Sequence, residues 1–227
     1  MKQLSILITI SLFLFSCARE KTGSGDATDT SVDAKNCTYS VQPAFTTVNW
    51  TAYKTTARVG VGGTFTDLSI TPGKEEGSVT EIMTNLSFGL DIASTSTKDT
   101  SRDRKIRQYF FGTMAGWLPE EERLISGTIN TVQGVDTGGI ARITLRMNDL
   151  ENEVDAKYRL EGNKLILETS VLVDDWDASS SIDSLNSVCE DLHKGEDGVS
   201  KLWPDVDVRI ESVLKKNCDS GVAQSEH

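Results

Sequence analysis

Histidine is nearly absent from this chain of 227 residues: His193 and His227 are the only two. No Gly-x-Ser-x-Gly elbow occurs, and no acid–base pair or activated nucleophile stands out. Catalysis needs positioned bases, donors or nucleophiles, so the sequence argues against an enzyme. The four cysteines, Cys17, Cys37, Cys189 and Cys218, include no Cys-x-x-Cys pair. His193 follows Cys189 at the i, i+4 spacing, but two ligands do not make a zinc site. Asp174, Asp175 and Asp177 flank Trp176 without the twelve-residue calcium-loop pattern, and they read as a solvated acidic turn. Gly60, Gly62 and Gly63 lie in a strand with no helix after them, which excludes a nucleotide loop. No metal and no cofactor are therefore expected. Positive charge is scarce too, with 23 Lys and Arg against 34 Asp and Glu, a formal charge of −11. That balance excludes nucleic acid as a partner and excludes charge-driven attachment to anionic headgroups. No apolar run reaches the roughly 20 residues of a spanning helix.

The one sizeable apolar run lies at the start of the chain. It extends from Leu4 to Phe15, follows Lys2, and ends at Ser16-Cys17. A basic end, a short apolar stretch and a small residue describe a secretory signal. A Cys directly after the small residue resembles the bacterial lipobox. That resemblance implies that Cys17 is acylated and becomes the mature N-terminus. The competing reading is an ordinary signal peptide with an incidental Cys. Residues 18–36 contain no aromatic residue and only Val32 as a large aliphatic, too little to offset the entropy of ordering. The expected organisation is a signal peptide over 1–16, a lipidated Cys and flexible tether over 17–36, one domain over 37–219, and a disordered tail over 220–227. The expected location is the bacterial envelope, on the periplasmic side of a membrane, the outer membrane in the first place, held there by the lipid.

The body of the chain is written in period two. Leu86, Phe88, Leu90 and Ile92 alternate with Ser87 and Asp91, in a pattern running over 79–93. Ala141, Ile143, Leu145 and Met147 alternate with Arg142, Thr144, Arg146 and Asn148. Val154, Ala156, Tyr158 and Leu160 form another set, as do Val206, Val208 and Ile210. Weaker sets are Val48, Trp50 and Ala52; Val59, Val61 and Phe65; Ile125 and Ile129; and Leu165, Leu167, Val171 and Val173. Strands with one apolar face belong to antiparallel sheets. Apolar parity switches between Phe65 and Leu68, which predicts a β-bulge near Asp67. The fold class is mainly all-β: an eight-stranded antiparallel lipocalin-like β-barrel with one or two short helices. Closure is favoured because it removes exposed edges; a two-sheet sandwich is the alternative. The helices are placed over 102–111 and over 181–193, the second with Ser181 as N-cap and Gly195 as stop.

The motifs of the first half resemble those of the YceI-like family of periplasmic lipid-binding proteins. The matching segments are Val48-Asn49-Trp50-Thr51-Ala52-Tyr53-Lys54, Val61-Gly62-Gly63-Thr64-Phe65, and Ser94-Thr95-Ser96-Thr97. Arg102-Asp103 and Tyr109-Phe110-Phe111 then follow in the family's order and spacing. Beyond residue 111 the pattern departs. Pro119 leads to Leu124-Ile125-Ser126-Gly127, Asn148-Asp149 stands where a His-Gly turn is usual, and 175–204 is longer. The resemblance implies a barrel whose interior holds an amphiphile, typically an isoprenoid, as its hydrophobic ligand.

Residue chemistry points in the same direction. An eight-stranded barrel is just wide enough to be filled by side chains or to hold one small ligand. The expected lining is Trp50, Phe65, Leu86, Phe88, Leu90, Ile143, Leu145 and Tyr158, with Leu167 and Val208, and Phe110 and Phe111 lie near the mouth. None is charged, which suits a hydrocarbon tail; a side-chain-filled core is the bland counterpart. Arg102 and Arg104 belong to the only dense basic cluster. They are either the wet face of a helix or the contact for an anionic headgroup. With Cys17 lipidated, three cysteines remain, and three pairings are possible. Cys37 precedes the first strand and Cys218 follows the last, and these strands are neighbours in a closed barrel. That places a Cys37–Cys218 bridge at the seam, with Cys189 buried in a helix. Two functions follow: a lipid-anchored carrier or sequestering protein for a long apolar ligand, or a filled barrel acting through its outer surface. Ligand identity and oligomeric state are not legible.

Overall fold

The computed structural model describes residues 37–116 and 124–218. The expected signal peptide, Cys17, the tether and the tail over 220–227 lie outside the described residues, as do Trp117 and Pro119. Among the described residues the strands are β1 (Cys37–Ser40), β2 (Thr46–Lys54), β3 (Val59–Phe65), β4 (Leu68–Thr71), β5 (Ser87–Asp91) and β6 (Thr95–Ser96). The second half adds β7 (Leu124–Val135), β8 (Gly138–Met147), β9 (Leu150–Glu161), β10 (Lys164–Leu172), β11 (Leu202–Val213) and β12 (Lys215–Cys218).

Ten of these strands form one antiparallel ladder, in the order β4-β5-β7-β8-β9-β10-β11-β2-β3-β6. Its two ends meet in a single stretch of chain, because only Thr66 and Asp67 separate β3 from β4. β3 pairs with β2, placing Phe65 opposite Val48, while β4 pairs with β5, placing Leu68 opposite Leu90. β6, three residues beyond β5, returns to β3 and sets Thr95 opposite Phe65. Residues 59–71 thus act as one kinked strand, hydrogen-bonded along both edges. Counting β3–β4 once and β5–β6 once leaves eight strands in a closed barrel, the expected lipocalin-like architecture. The kink falls at the expected bulge. Phe65, Leu68 and Ile70 all face the interior, so two residues outside the ladder restore the apolar face. Turn chemistry agrees with the hairpins. Between β8 and β9, Asn148 and Asp149 take φ of 53° and 59°, the paired left-handed geometry of a type I′ turn.

The end of the barrel holding the β7–β8 and β9–β10 hairpins is called the floor here, and the other end the roof. The floor is plugged by α1 (Val79–Met83), which the sequence reading assigned to a strand. Val79, Ile82 and Met83 follow helical spacing and are at most 1% exposed. Ser78 and Glu81 form a capping box that starts the helix. The true strand, β5, begins only at Ser87, after Asn85 turns the chain at φ 64°.

The roof is helical. α2 (Thr100–Lys105) runs through a π turn (Ile106–Phe111) into α3 (Gly112–Ala115). Asp99 caps α2 by accepting from the Ser101 and Arg102 N–H groups, 3.0 Å each. α4 (Ser179–Val188) packs against the π turn, and α5 (Glu190–His193) follows. α4 starts two residues before the expected cap. Ala178 occupies the N-cap position, and Ser181 lies inside the first turn, fully buried. Val173–Trp176 form a 3₁₀ turn that keeps Asp174, Asp175 and Asp177 exposed, the solvated acidic turn expected, and buries Val173 and Trp176. Trp176 is 1% exposed and donates its indole N–H to the Leu145 carbonyl at 3.1 Å.

β1 and β12 pair below the floor and carry the Cys37–Cys218 disulfide in direct register. Cys189 is a buried free thiol between α4 and α5. The bridge closes a loop with a sequence separation of 181. Replacing both bridged cysteines by serine is expected to lower stability by about 2–4 kcal/mol. Urea denaturation of the double variant checks this, and an unchanged midpoint would show that the bond carries no stability.

Candidate functional site

Each strand sends its inward column into one lumen. β2 contributes Val48, Trp50 and Ala52, and β11 contributes Val206, Val208 and Ile210. Phe88 and Leu90 come from β5, Ile143 and Leu145 from β8, and Leu165 and Leu167 from β10. Two packed layers border its ends. The floor layer includes Tyr39, α1, Tyr158 and Leu214, and the roof layer includes Phe111, Met114, Met147 and Trp176. Between them lies a cavity of about 240 Å³. An apolar cavity of about 150 Å³ takes up benzene, so this space fits a chain segment of about ten carbons by the same measure.

The lumen stays open because its large rings lie against the wall. Trp50 faces Gly63 across the β2–β3 ladder, and Phe88 faces Gly127 across β5–β7. A Cβ on Gly63 would sit 2.2 Å from the Trp50 ring, and one on Gly127 would sit 2.6 Å from Phe88. Each ring occupies the volume that a neighbouring side chain would fill, rather than the centre of the barrel. At the roof, Phe110 packs edge-on against Phe111, with centroids 5.1 Å apart, and Phe65 lies 6.2 Å from Phe111.

Of the residues expected to bind a ligand, Trp50, Phe65, Leu86, Phe88, Leu90, Phe110, Phe111, Ile143 and Leu145 all line the lumen. Leu167 and Val208 do so too. Tyr158 does not. Its ring folds over Gly139, its register partner, and its hydroxyl donates to the Val135 carbonyl at 2.8 Å. That polar tip needs a partner when buried, and the β7–β8 hairpin supplies it, so Tyr158 becomes part of the floor.

Arg102 and Arg104 also lie outside the lining. Both are exposed, and Arg102 sits 3.7 Å from Asp99. The helix turns Asp103 inward instead, 5% exposed, where its carboxylate accepts from the Thr97 N–H at 2.7 Å and hydroxyl at 2.6 Å. Arg107 donates to the Thr95 carbonyl at 3.1 Å. The Ser-x-x-Thr and Arg-Asp segments therefore fasten the roof helix to the rim. The π turn then brings Ile106, Phe110 and Phe111 to the lumen.

Sequence reasoning missed several lining residues. Ile182 and Leu185 were visible as a helical face but not as lumen contacts. Leu202 and Trp203 lie at the start of an irregularity in the β11 register, between Leu202 and Val206, that interrupts alternation. Trp203 donates its N–H to the Thr55 carbonyl at 2.7 Å, and Lys201 Nζ lies 3.5 Å from its ring centroid. Among the described residues the polar lining side chains are Thr46, Thr169 and Ser212, and none that lines the lumen is charged. Among the described residues, no group of three or more His, Cys, Asp or Glu could hold a metal. None of their helices is long and apolar enough to cross a membrane.

His193 ends α5, 8% exposed, with Nδ1 2.9 Å from Asn186 Oδ1. Ser200 donates to the same oxygen at 3.0 Å. Burial, reinforced by the Lys54 and Lys105 ammonium groups, pushes the imidazole down from its ordinary 6.5 to about 4.

Solved structures share this fold. A polyisoprenoid-binding domain from Saccharophagus degradans, implicated in plant cell wall breakdown, aligns with a TM-score of 0.54 at 15% identity, covering 81% of this chain and 99% of that one. BcnA of Burkholderia cenocepacia aligns at 0.49 with 10% identity over 77% and 99% of the two chains. A Campylobacter jejuni YceI protein aligns at 0.45 with 16% identity over 71% and 86%. No protein-family model and no curated protein matches the sequence. The likeness to the Saccharophagus degradans domain bears out the barrel fold read from the sequence.

Two outcomes follow. Gly63→Val should push the Trp50 ring off the wall into the lumen, at an overpacking cost of about 1–3 kcal/mol. Uptake of a lumen-sized apolar dye should then fall at least tenfold by fluorescence titration (an order-of-magnitude expectation from the same overpacking), while the circular dichroism stays that of a folded barrel. Undiminished uptake would place the dye elsewhere. The second outcome concerns His193. The unfolded chain takes up its proton near pH 6.5 and the folded chain only near 4. Stability is therefore full above 6.5 and declines as pH falls through that window, by up to about 3 kcal/mol. The slope of unfolding free energy between pH 6.5 and 5 should flatten in His193→Gln.

Proposed function

We propose that this protein binds one apolar or amphiphilic chain molecule, isoprenoid-like in the first place, inside its barrel, and acts as a carrier or sequestering protein. The observation that carries this reading is the cavity of about 240 Å³, walled by hydrocarbon and aromatic side chains and, among the described residues, free of lining charge. Burying an alkyl chain there is favourable, by about 0.8 kcal/mol per CH₂ group. A polar metabolite would surrender its hydration for few partners. The Saccharophagus degradans domain, whose described property is polyisoprenoid binding, shares the fold and supports the ligand class. The absence of an assembled acid–base or nucleophilic group around the lumen favours binding over catalysis. A barrel that acts only through its outer surface accounts less well for the apolar cavity.

The protein is further proposed to work from the envelope, tethered through a lipid on Cys17. Acylation would hold it at a membrane, since each buried CH₂ contributes about 0.8 kcal/mol. Cys17→Ser should then move the protein from the detergent phase to the aqueous phase of a detergent partition. Wild-type protein already in the aqueous phase would refute the anchor.

Native mass spectrometry of protein purified from its own cells tests the ligand. A retained hydrophobic molecule is the expected result, and repeated recovery of empty protein that takes up no added lipid would overturn the proposal. Phe88→Asp puts a carboxylate in apolar surroundings, at a desolvation cost of several kcal/mol. Retention should be lost in this variant, provided that circular dichroism shows it folded. Leu90→Phe should keep binding but favour slimmer or shorter chains.

A further inference from the structure

We infer that chain molecules enter and leave the lumen sideways, through a slit in the wall between the roof half of β3 and the roof helix, and that a single-chain amphiphile rests there with its polar head in water. This rests on the reading of the lumen as the ligand site and adds the route into it. β3 is paired with β2 along its whole length, from Val59 opposite Lys54 to Phe65 opposite Val48. On its other edge the ladder to β6 holds two pairs, Thr64 with Ser96 and Phe65 with Thr95. Closure is made there and along β4; nearer the roof the wall is paired on one edge only. The cause is Lys98, which at φ 62° turns the chain out of the ladder and into α2. The Thr66 N–H donates to the Ser94 carbonyl on that edge, so the even-numbered residues aim their backbone groups at it. Gly62 and Gly60 are next in line, and among the described residues neither has a strand partner there. Both are exposed, so water serves those groups.

The inner surface of this edge is apolar. Val61 faces inward beside Ala52, its register partner, and Ala52 lines the lumen. Val59 shares the inward parity yet is 48% exposed, which marks the level at which the wall gives no cover. The sides of the slit are fixed. On one side the β2–β3 turn is latched to β11. The Thr55 N–H donates to the Lys201 carbonyl at 2.8 Å, and the Trp203 indole N–H donates to the Thr55 carbonyl. Arg58 pairs with Asp205 and lies 4.5 Å and 4.7 Å from the Tyr53 and Trp203 ring centroids. On the other side Asp103 and Arg107 fasten the roof helix to Thr97 and Thr95. Neither side has to unfold for a chain to pass. A polar head that followed its tail into a hydrocarbon lumen would lose its water for nothing. A slit lets the head keep it.

The test follows uptake and release of a lumen-sized apolar dye by stopped-flow fluorescence. Val61→Trp and Val59→Trp narrow the slit from positions outside the lumen lining. Phe45→Trp places the same ring at the floor end, where Phe45 is 63% exposed. Uptake and release should both slow about tenfold in the slit variants, with Kd unchanged, and Phe45→Trp should leave both rates as they are. Val59 is exposed enough to accept the ring even where Val61→Trp fails to fold. Wild-type rates in Val59→Trp, or equal slowing in Phe45→Trp, would overturn the slit. Two probes then place the head: decane, and decyl maltoside below its micelle concentration, which carries the same chain on a bulky sugar. Both should displace the dye from wild-type protein. Displacement by decane alone would overturn the placement of the head at the slit while upholding the lumen as the site. Failure of both probes would overturn the lumen reading itself.

Discussion

The structure depends on residues 59–71 being hydrogen-bonded along both edges. Without that shared strand the sheet is an open curl with two long exposed edges, and its inward face has no enclosed volume. A segment that passes from β2 on one edge to β5 on the other must bend where it crosses over, and it must keep its apolar residues inward despite the bend. Thr66 and Asp67 meet both demands by stepping out of the ladder for two residues. The switch of parity from Phe65 to Leu68 is the sequence trace of that step. The resemblance to known barrels, the cavity and the arrangement of the roof all presuppose it.

Closure alone would give a filled core as readily as a hollow one. Here the outcome is decided by pairing large rings with glycines across the ladder. Trp50 over Gly63 and Phe88 over Gly127 convert the bulk of two aromatic residues into wall thickness. The lumen is thus a consequence of side-chain pairs that are local in register but remote in sequence for β5 and β7.

This separates what was legible from what was not. Period two along β8 and β9 marked which residues face inward, because alternation is a property of each strand by itself. The Cys37–Cys218 pairing was legible as soon as the barrel was assumed, since seam strands are neighbours. α1 was misread because Ile82 lies on the same parity as Leu86 and Phe88, so the helix and the strand after it look continuous. Its capping box, Ser78 with Glu81, was the available signal. Tyr158 shared the inward parity yet left the lining, because its hydroxyl required the Val135 carbonyl, a partner contributed by another hairpin. The Arg102–Arg107 cluster looked like a charged surface feature. Its meaning lay in Asp103, whose two bonds to Thr97 cannot be inferred from spacing.

The disulfide ties the first described residue of the barrel to the last. Everything from Cys37 to Cys218 is therefore a covalent ring, and β1 and β12 are the point where chain enters and leaves it. Tension drawn between the two ends of the polypeptide runs across the sulfur–sulfur bond and bypasses the ladder. The barrel sits on that line as an unloaded loop, able to keep its shape, and whatever it encloses, under pulling or swelling forces transmitted along the chain.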